Sequence, residues 1–174
     1  MTAPEAPATH LILVRHGQSL HNRDGQPSLS PDLGLTELGW RQSQAVANWL
    51  AGRFRPVAVA SSPLMRARQT AEIIAARLEL PLVMHEGLEE ADFYWGDELP
   101  VRWDTPLAAW DHDWRPDPDT APLYSSFRAR LHDSLERLLR QYGGQTVIAV
   151  THGGAVGTIV RSLFGGHHVA VFTE

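Results

Sequence analysis

Short aliphatic runs and amphipathic stretches alternate along the chain. Runs at Leu11 to Arg15, Val57 to Ala60, Leu82 to His85, Thr146 to Thr151 and His168 to Phe172 are β-branched or aliphatic and predict strands. Between them the apolar positions change to a helical spacing. Thr36 is placed to cap a helix with Leu38, Ala45, Trp49 and Leu50 on one face and Gly52 as its stop. Ser62-Pro63 sets a cap before a proline at the first helical position, and Ala67, Thr70, Ala71, Ile74 and Leu78 follow as a buried stripe. From Pro122, residues Leu123, Phe127, Leu131, Leu135, Leu138 and Leu139 recur at three and four positions, and Gly143-Gly144 ends the run. Val156, Ile159, Val160 and Leu163 repeat in the same way after His152, with Gly165-Gly166 beyond them. This alternation predicts an α/β fold: a three-layer α/β/α sandwich around a mostly parallel central sheet.

The pattern lapses between Glu86 and Ala121. Phe93, Tyr94, Trp95, Trp103, Trp110 and Trp114 fall there among several prolines and many acids. So many aromatics argue against disorder. Residues 87–121 therefore read as an aromatic-rich insertion, either a lid over a substrate or a satellite cluster capping the core. Residues 1–9 read as a loose Ala/Pro tail without the basic and apolar regions of a signal peptide. At 174 residues the chain suits one domain with one sizeable core.

Composition removes several chemistries. All 15 basic residues are arginine, so a P-loop lysine, a Schiff base and pyridoxal chemistry are unavailable. There is no cysteine for a disulfide, a thiol nucleophile, a thiolate zinc site or an iron–sulfur cluster, which fits a reducing cytoplasm. A net charge of −5 argues against a nucleic-acid or anionic-membrane partner, and no apolar run is long enough to cross a bilayer. The nine histidines show no His-x-His or His-Glu-x-x-His spacing, so no metal is expected.

Two of the strand runs stop at His-Gly: LILVRHG at His16-Gly17 and VIAVTHGG at His152-Gly153. In open α/β sheets ligands bind at the carboxyl ends of strands, which points to one site built from both ends of the chain. Gly17 breaks the strand so that Arg15 and His16 can share that site. Arg15 offers a charged fork for phosphate or carboxylate, and its field disfavours a second positive charge on His16. Asn22 adds a short polar donor. Ser61, Ser62 and Arg66 follow the second strand, where helix amides and the helix dipole favour an anion. His152 again precedes glycines that open a helix and present amides. Two arginines, two histidines and an asparagine can thus converge on one anionic group.

These residues resemble the histidine phosphatase superfamily, also called phosphoglycerate-mutase-like. LVRHGQSLHN is similar to its signature, and LTELG, SSPLMRARQTA and AVTHGG follow in the family's order. The resemblance implies His16 as the phosphate-accepting nucleophile, with Arg15, Arg66, His152, Asn22 and Gly153 around the phosphate. A Leu-x-Glu pattern in GLEEADFYWG makes Glu90 the implied proton donor, with Glu89 the alternative one residue away. The implied reaction is metal-independent hydrolysis of small phosphomonoesters through a phosphohistidine, with no cofactor. The lid holds only Arg102 and Arg115 among many acids, which disfavours a doubly anionic substrate and a mutase. A cofactor-dependent phosphoglycerate mutase and a non-catalytic phosphate-binding module on the same scaffold remain the alternatives. The chain has PDPDTAPLYSSF where the family often carries Gly-Glu-Ser, and it stops at VAVFTE where the family usually continues into a final strand. An exposed sheet edge there would call for a partner.

Overall fold

A computed structural model describes residues 7–20, 22, 32–91 and 121–164. Four strands, β1 (His10–Arg15), β2 (Ala58–Ser61), β3 (Leu82–Met84) and β4 (Thr146–Thr151), form one sheet in the order β1-β4-β2-β3. Every pairing is parallel, with Leu11 opposite Val147 and Ala58 opposite the same residue. The helices are α1 (Glu37–Ala51), α2 (Met65–Leu78), α3 (Ala121–Gln141) and α4 (Gly153–Phe164).

Alternation along each strand divides the core between two faces. Val14, Val59, Ile148 and Val150 point to one face and pack with Ala47 and Leu50 of α1 and Ala67, Ala71 and Ile74 of α2. Leu11, Leu13, Ala58, Ala60, Val147 and Ala149 point to the other, toward Leu131, Leu135 and Leu138 of α3 and Ala155 and Ile159 of α4. Burial on both faces explains why these strands read as continuous apolar runs. The three-layer α/β/α sandwich is therefore present.

Several local expectations are corrected. On α1, Leu38 and Trp49 are exposed, and so is Ala45; the buried face is Gly39, Ser43, Ala47 and Leu50. Small side chains face inward because α1 packs closely on α2 and on the loop leaving β1. Gly17 and Gly39 mark that approach: a Cβ on Gly17 would overlap the carbonyl oxygen of Gly39, and one on Gly39 would overlap that of Gln18. Helix α2 starts at Met65 with Leu64 as its N-cap, later than Ser62-Pro63 suggests. Leu123 and Leu163 are exposed, and β2 runs to Ser61 while Val57 lies outside it. Thr36 caps α1 as expected, accepting from the Gly39 amide at 3.1 Å. The aromatic positions of the 87–121 insertion, the strand at His168 to Phe172 and Gly165-Gly166 lie outside the described residues.

Candidate active site

Because the strands are parallel, the residues that leave them gather at one edge of the sheet. His16 follows β1, Ser62 follows β2 and His152 follows β4. Strand pairing continues past the ends, with the His16 amide donating to the Thr151 carbonyl and the Ser62 amide to the Val150 carbonyl. The central place of β4, between β1 and β2, sets His152 between the other two. The His16 and His152 rings meet edge to face with centroids 5.1 Å apart.

The His16 ring is buried, and its Nδ1 lies 2.7 Å from the Gly17 carbonyl oxygen. A carbonyl only accepts, so Nδ1 carries the proton and Nε2 keeps its lone pair. Arg66 Nε donates to that Nε2 at 3.2 Å. The loop behind the ring is fastened through Thr70, whose hydroxyl accepts from the Gly17 amide at 3.1 Å and donates to the Arg66 carbonyl at 2.9 Å. One threonine thus ties the His16 loop and the arginine helix together.

Arg66 sits in the first turn of α2, where the helix dipole opposes a cation. Asp32 resolves the conflict: its carboxylate accepts from the Met65 amide and pairs with Arg66 Nη1 at 3.4 Å. Burial pulls the Arg66 guanidinium below its ordinary range, while Asp32 and Glu90 pull it back up. The amides expected to hold an anion here are therefore partly occupied, by Ser62 on Leu64 and by Asp32 on Met65. At this helix the cationic side chain, more than the amides, is what remains for a ligand.

His152 is fully buried, and its Nε2 lies 2.8 Å from Ser62 Oγ. Burial pushes this imidazole well below its ordinary 6.5, and the positive charges of Arg66, Arg130 and Arg15 act in the same direction. It is neutral at physiological pH. Arg15 lies beside Gly153, where a Cβ would stand 3.4 Å from its Nε. Asn22 is exposed; its amide oxygen accepts from the Ser19 hydroxyl at 2.9 Å while its own amide donates to Ser19 Oγ at 3.2 Å, a reciprocal cap.

The two neighbouring carboxylates have different partners. Glu89 Oε2 pairs with Arg130 Nη1 at 2.8 Å and accepts from the Gly87 amide at 2.7 Å. Glu90 Oε2 instead accepts from the Gly154 amide of α4 at 2.9 Å, two residues after His152. Of the pair, Glu90 is the one bonded to the helix that opens after His152. Arg130 also donates to the Glu89 and Glu90 carbonyls, at 3.2 and 3.1 Å, so it clamps the whole loop. Sequence reasoning missed it, although a base between Phe127 and Leu131 on the buried side of α3 was a signal. It missed Asp32 and the Thr70 fastening too, and no local pattern announces either.

Among the described residues no group of three or more His, Asp or Glu side chains could hold a metal ion. Nor, among them, is any helix long and apolar enough to cross a membrane.

The profile of the histidine phosphatase superfamily (branch 1) matches residues 11–172. The chain belongs to the histidine phosphatase superfamily. Within it, the chain is 32% identical over 165 residues to a metal-independent phosphoserine phosphatase of Arabidopsis thaliana, covering 89% of this chain and 68% of that one. It is 33% identical over 165 residues to a bifunctional protein of Mycobacterium tuberculosis, covering 92% of this chain. The chain spans about half of that relative's length, 45%. Among solved histidine phosphatase structures it is similar to the phosphoserine phosphatase of Entamoeba histolytica in complex with 3-phosphoglyceric acid. That likeness has a TM-score of 0.66 and 28% identity, and it covers 91% of this chain and 81% of the other.

Proposed function

We propose that this protein is a metal-independent phosphomonoesterase that acts through a phosphohistidine on small phosphorylated metabolites. The observation that carries the reading is the state of His16, whose Nδ1 proton is held by the Gly17 carbonyl while Nε2 keeps a lone pair beside Arg66. In the first step Nε2 attacks phosphorus and the bond to the ester oxygen breaks. That oxygen takes its proton from Glu90. The phosphorylated ring is then cationic, and the Gly17 carbonyl supports the charge through Nδ1–H. Water attacks next, the P–N bond breaks, and Glu90 recovers a proton from the water.

Arg15, Arg66, His152 and the Gly153 amide hold the phosphoryl oxygens as charge moves onto them, with Asn22 at the rim. The family membership supports this reading, as does the name of the Arabidopsis relative. The cysteine-free composition suits a cytoplasmic enzyme.

The test is phosphate release from a panel of phosphomonoesters, with and without EDTA, together with acid quenching after radiolabelled substrate. Chelator-resistant release and an acid-labile phosphoenzyme that disappears in His16→Ala are expected. Loss of activity in EDTA refutes the metal-independent route. Rapid interconversion of phosphoglycerates with little net phosphate release makes the protein a mutase instead.

A further inference from the structure

One buried ring nitrogen has no partner. His152 Nε2 is bonded to Ser62, but Nδ1 is unpaired although the ring lies against His16. A neutral imidazole carries one N–H and one lone pair, so the direction of the Ser62–His152 bond decides which of these Nδ1 bears.

The other contact of Ser62 gives that direction. Its Oγ accepts from the Leu64 amide at 3.3 Å, and among the described residues its second partner is His152 at 2.8 Å. If Nε2 were the donor, the Ser62 hydroxyl proton would have no acceptor among the described residues and Nδ1 would be a buried lone pair with no donor. If the hydroxyl donates to Nε2, a single group remains unpaired, the Nδ1–H. Unmade buried hydrogen bonds are costly, so the arrangement with one orphan is favoured over that with two. The remaining orphan is moreover a donor, the type of group that an anionic oxygen satisfies.

We infer that Ser62 is a positioning residue: by donating its hydroxyl proton to Nε2 it fixes His152 as the Nδ1–H tautomer, so that the ring offers a proton to a phosphoryl oxygen. The identity of that oxygen rests on the phosphatase reading above, whereas the tautomer does not. His16 and His152 then share one tautomer for opposite uses. In His16 the Nδ1 proton is consumed by a carbonyl and the lone pair is presented; in His152 the lone pair is consumed by a hydroxyl and the proton is presented.

Long-range nitrogen-15 correlation spectra of the labelled protein read the tautomer directly, with the His152 resonances identified by their loss in His152→Asn. Wild type and Ser62→Thr are expected to show Nδ1–H. In Ser62→Ala a substantial fraction should convert to Nε2–H, and orthovanadate should bind roughly ten-fold more weakly or worse. An Nε2–H ring in the wild type overturns the inference, as does an unchanged Nδ1–H ring in folded Ser62→Ala. If Ser62→Ala does not fold, the wild-type spectrum still decides. A tautomer that responds while vanadate affinity stays constant overturns the oxyanion role of His152 but leaves the Ser62–His152 assignment standing, whereas a wild type that binds no vanadate overturns the phosphatase reading.

Discussion

The two His-Gly strand ends are alike in sequence and unlike in space. After β1, Gly17 is pressed against the first turn of α1 so closely that no side chain fits, and its carbonyl takes the Nδ1 proton of His16. After β4, Gly153 opens a helix, its nearest neighbour on the Cβ side is Arg15 at 3.4 Å, and His152 is held by the serine that follows β2. The first end is built to be immobile, and the second to leave a donor unpaired. The same dipeptide therefore supplies two chemical roles, set by what packs behind each ring.

The largest effects should come from removing each ring. His16→Ala is expected to lower turnover by roughly 10⁴-fold or more in a folded protein, since it removes the proposed attacking atom. His152→Ala should cost about 10²- to 10³-fold, the loss seen when one oxyanion donor is removed. Equal losses, or substantial turnover in purified His16→Ala, would abolish the distinction between the two ends.

Glu90 is attached to the β4 end through Gly154, so it sharpens the comparison next. Glu90→Gln should lower kcat by about 10²-fold or more for esters with poor leaving groups and much less for nitrophenyl phosphate. Glu89→Gln, which loses only its pairing with Arg130, should show no such dependence on the leaving group. A reversed pattern would assign the proton to Glu89.

The glycines give a smaller and purely structural contrast. Gly17→Ala must push the Gly39 backbone away and should destabilise the fold by about 1–3 kcal/mol. Gly153→Ala meets Arg15 at 3.4 Å, an ordinary contact, and should stay within about 0.5 kcal/mol of wild type. Denaturant midpoints of the two variants check the difference.

The smallest effect is a slope with pH. His152 is held neutral in the fold, so below its ordinary 6.5 the unfolded chain binds a proton that the native state refuses. The stability due to the neutral ring is complete above about 6.5 and falls as the pH drops, by about 1.4 kcal/mol per unit until the buried ring itself titrates. In His152→Asn this contribution to the acid slope of the unfolding free energy should vanish. An identical slope in both proteins would show that the buried ring does not remain neutral.

Much of the scaffold was legible because strand and helix periods are local. The β4 run matches Thr146–Thr151 at both ends, and the α2 stripe is buried at Ala67, Thr70, Ala71 and Ile74. The α1 face was misjudged because its outward side carries Leu38, Trp40 and Trp49, while the inward side carries glycine, serine and alanine. Hydrophobic pattern ranks residues by transfer free energy, whereas close packing of backbone on backbone selects for size. Arg130 escaped notice for a related reason: its partners are two carbonyls and a carboxylate some 40 residues earlier, as their separations of 40 and 41 show.

By itself, the sequence determined which of the described segments are strands, that they run into polar ends, and that arginine and histidine are the groups available there. It also carried the family, because the four motifs keep their order. Tertiary structure alone decided that β4 lies between β1 and β2, which of two adjacent glutamates accepts from the α4 amide, and which nitrogen of His16 faces a carbonyl. The physical reason is range. Backbone propensity and apolar periodicity act over a few residues, while strand order, a carboxylate's choice of amide and a histidine's tautomer depend on partners brought together only when the sheet closes.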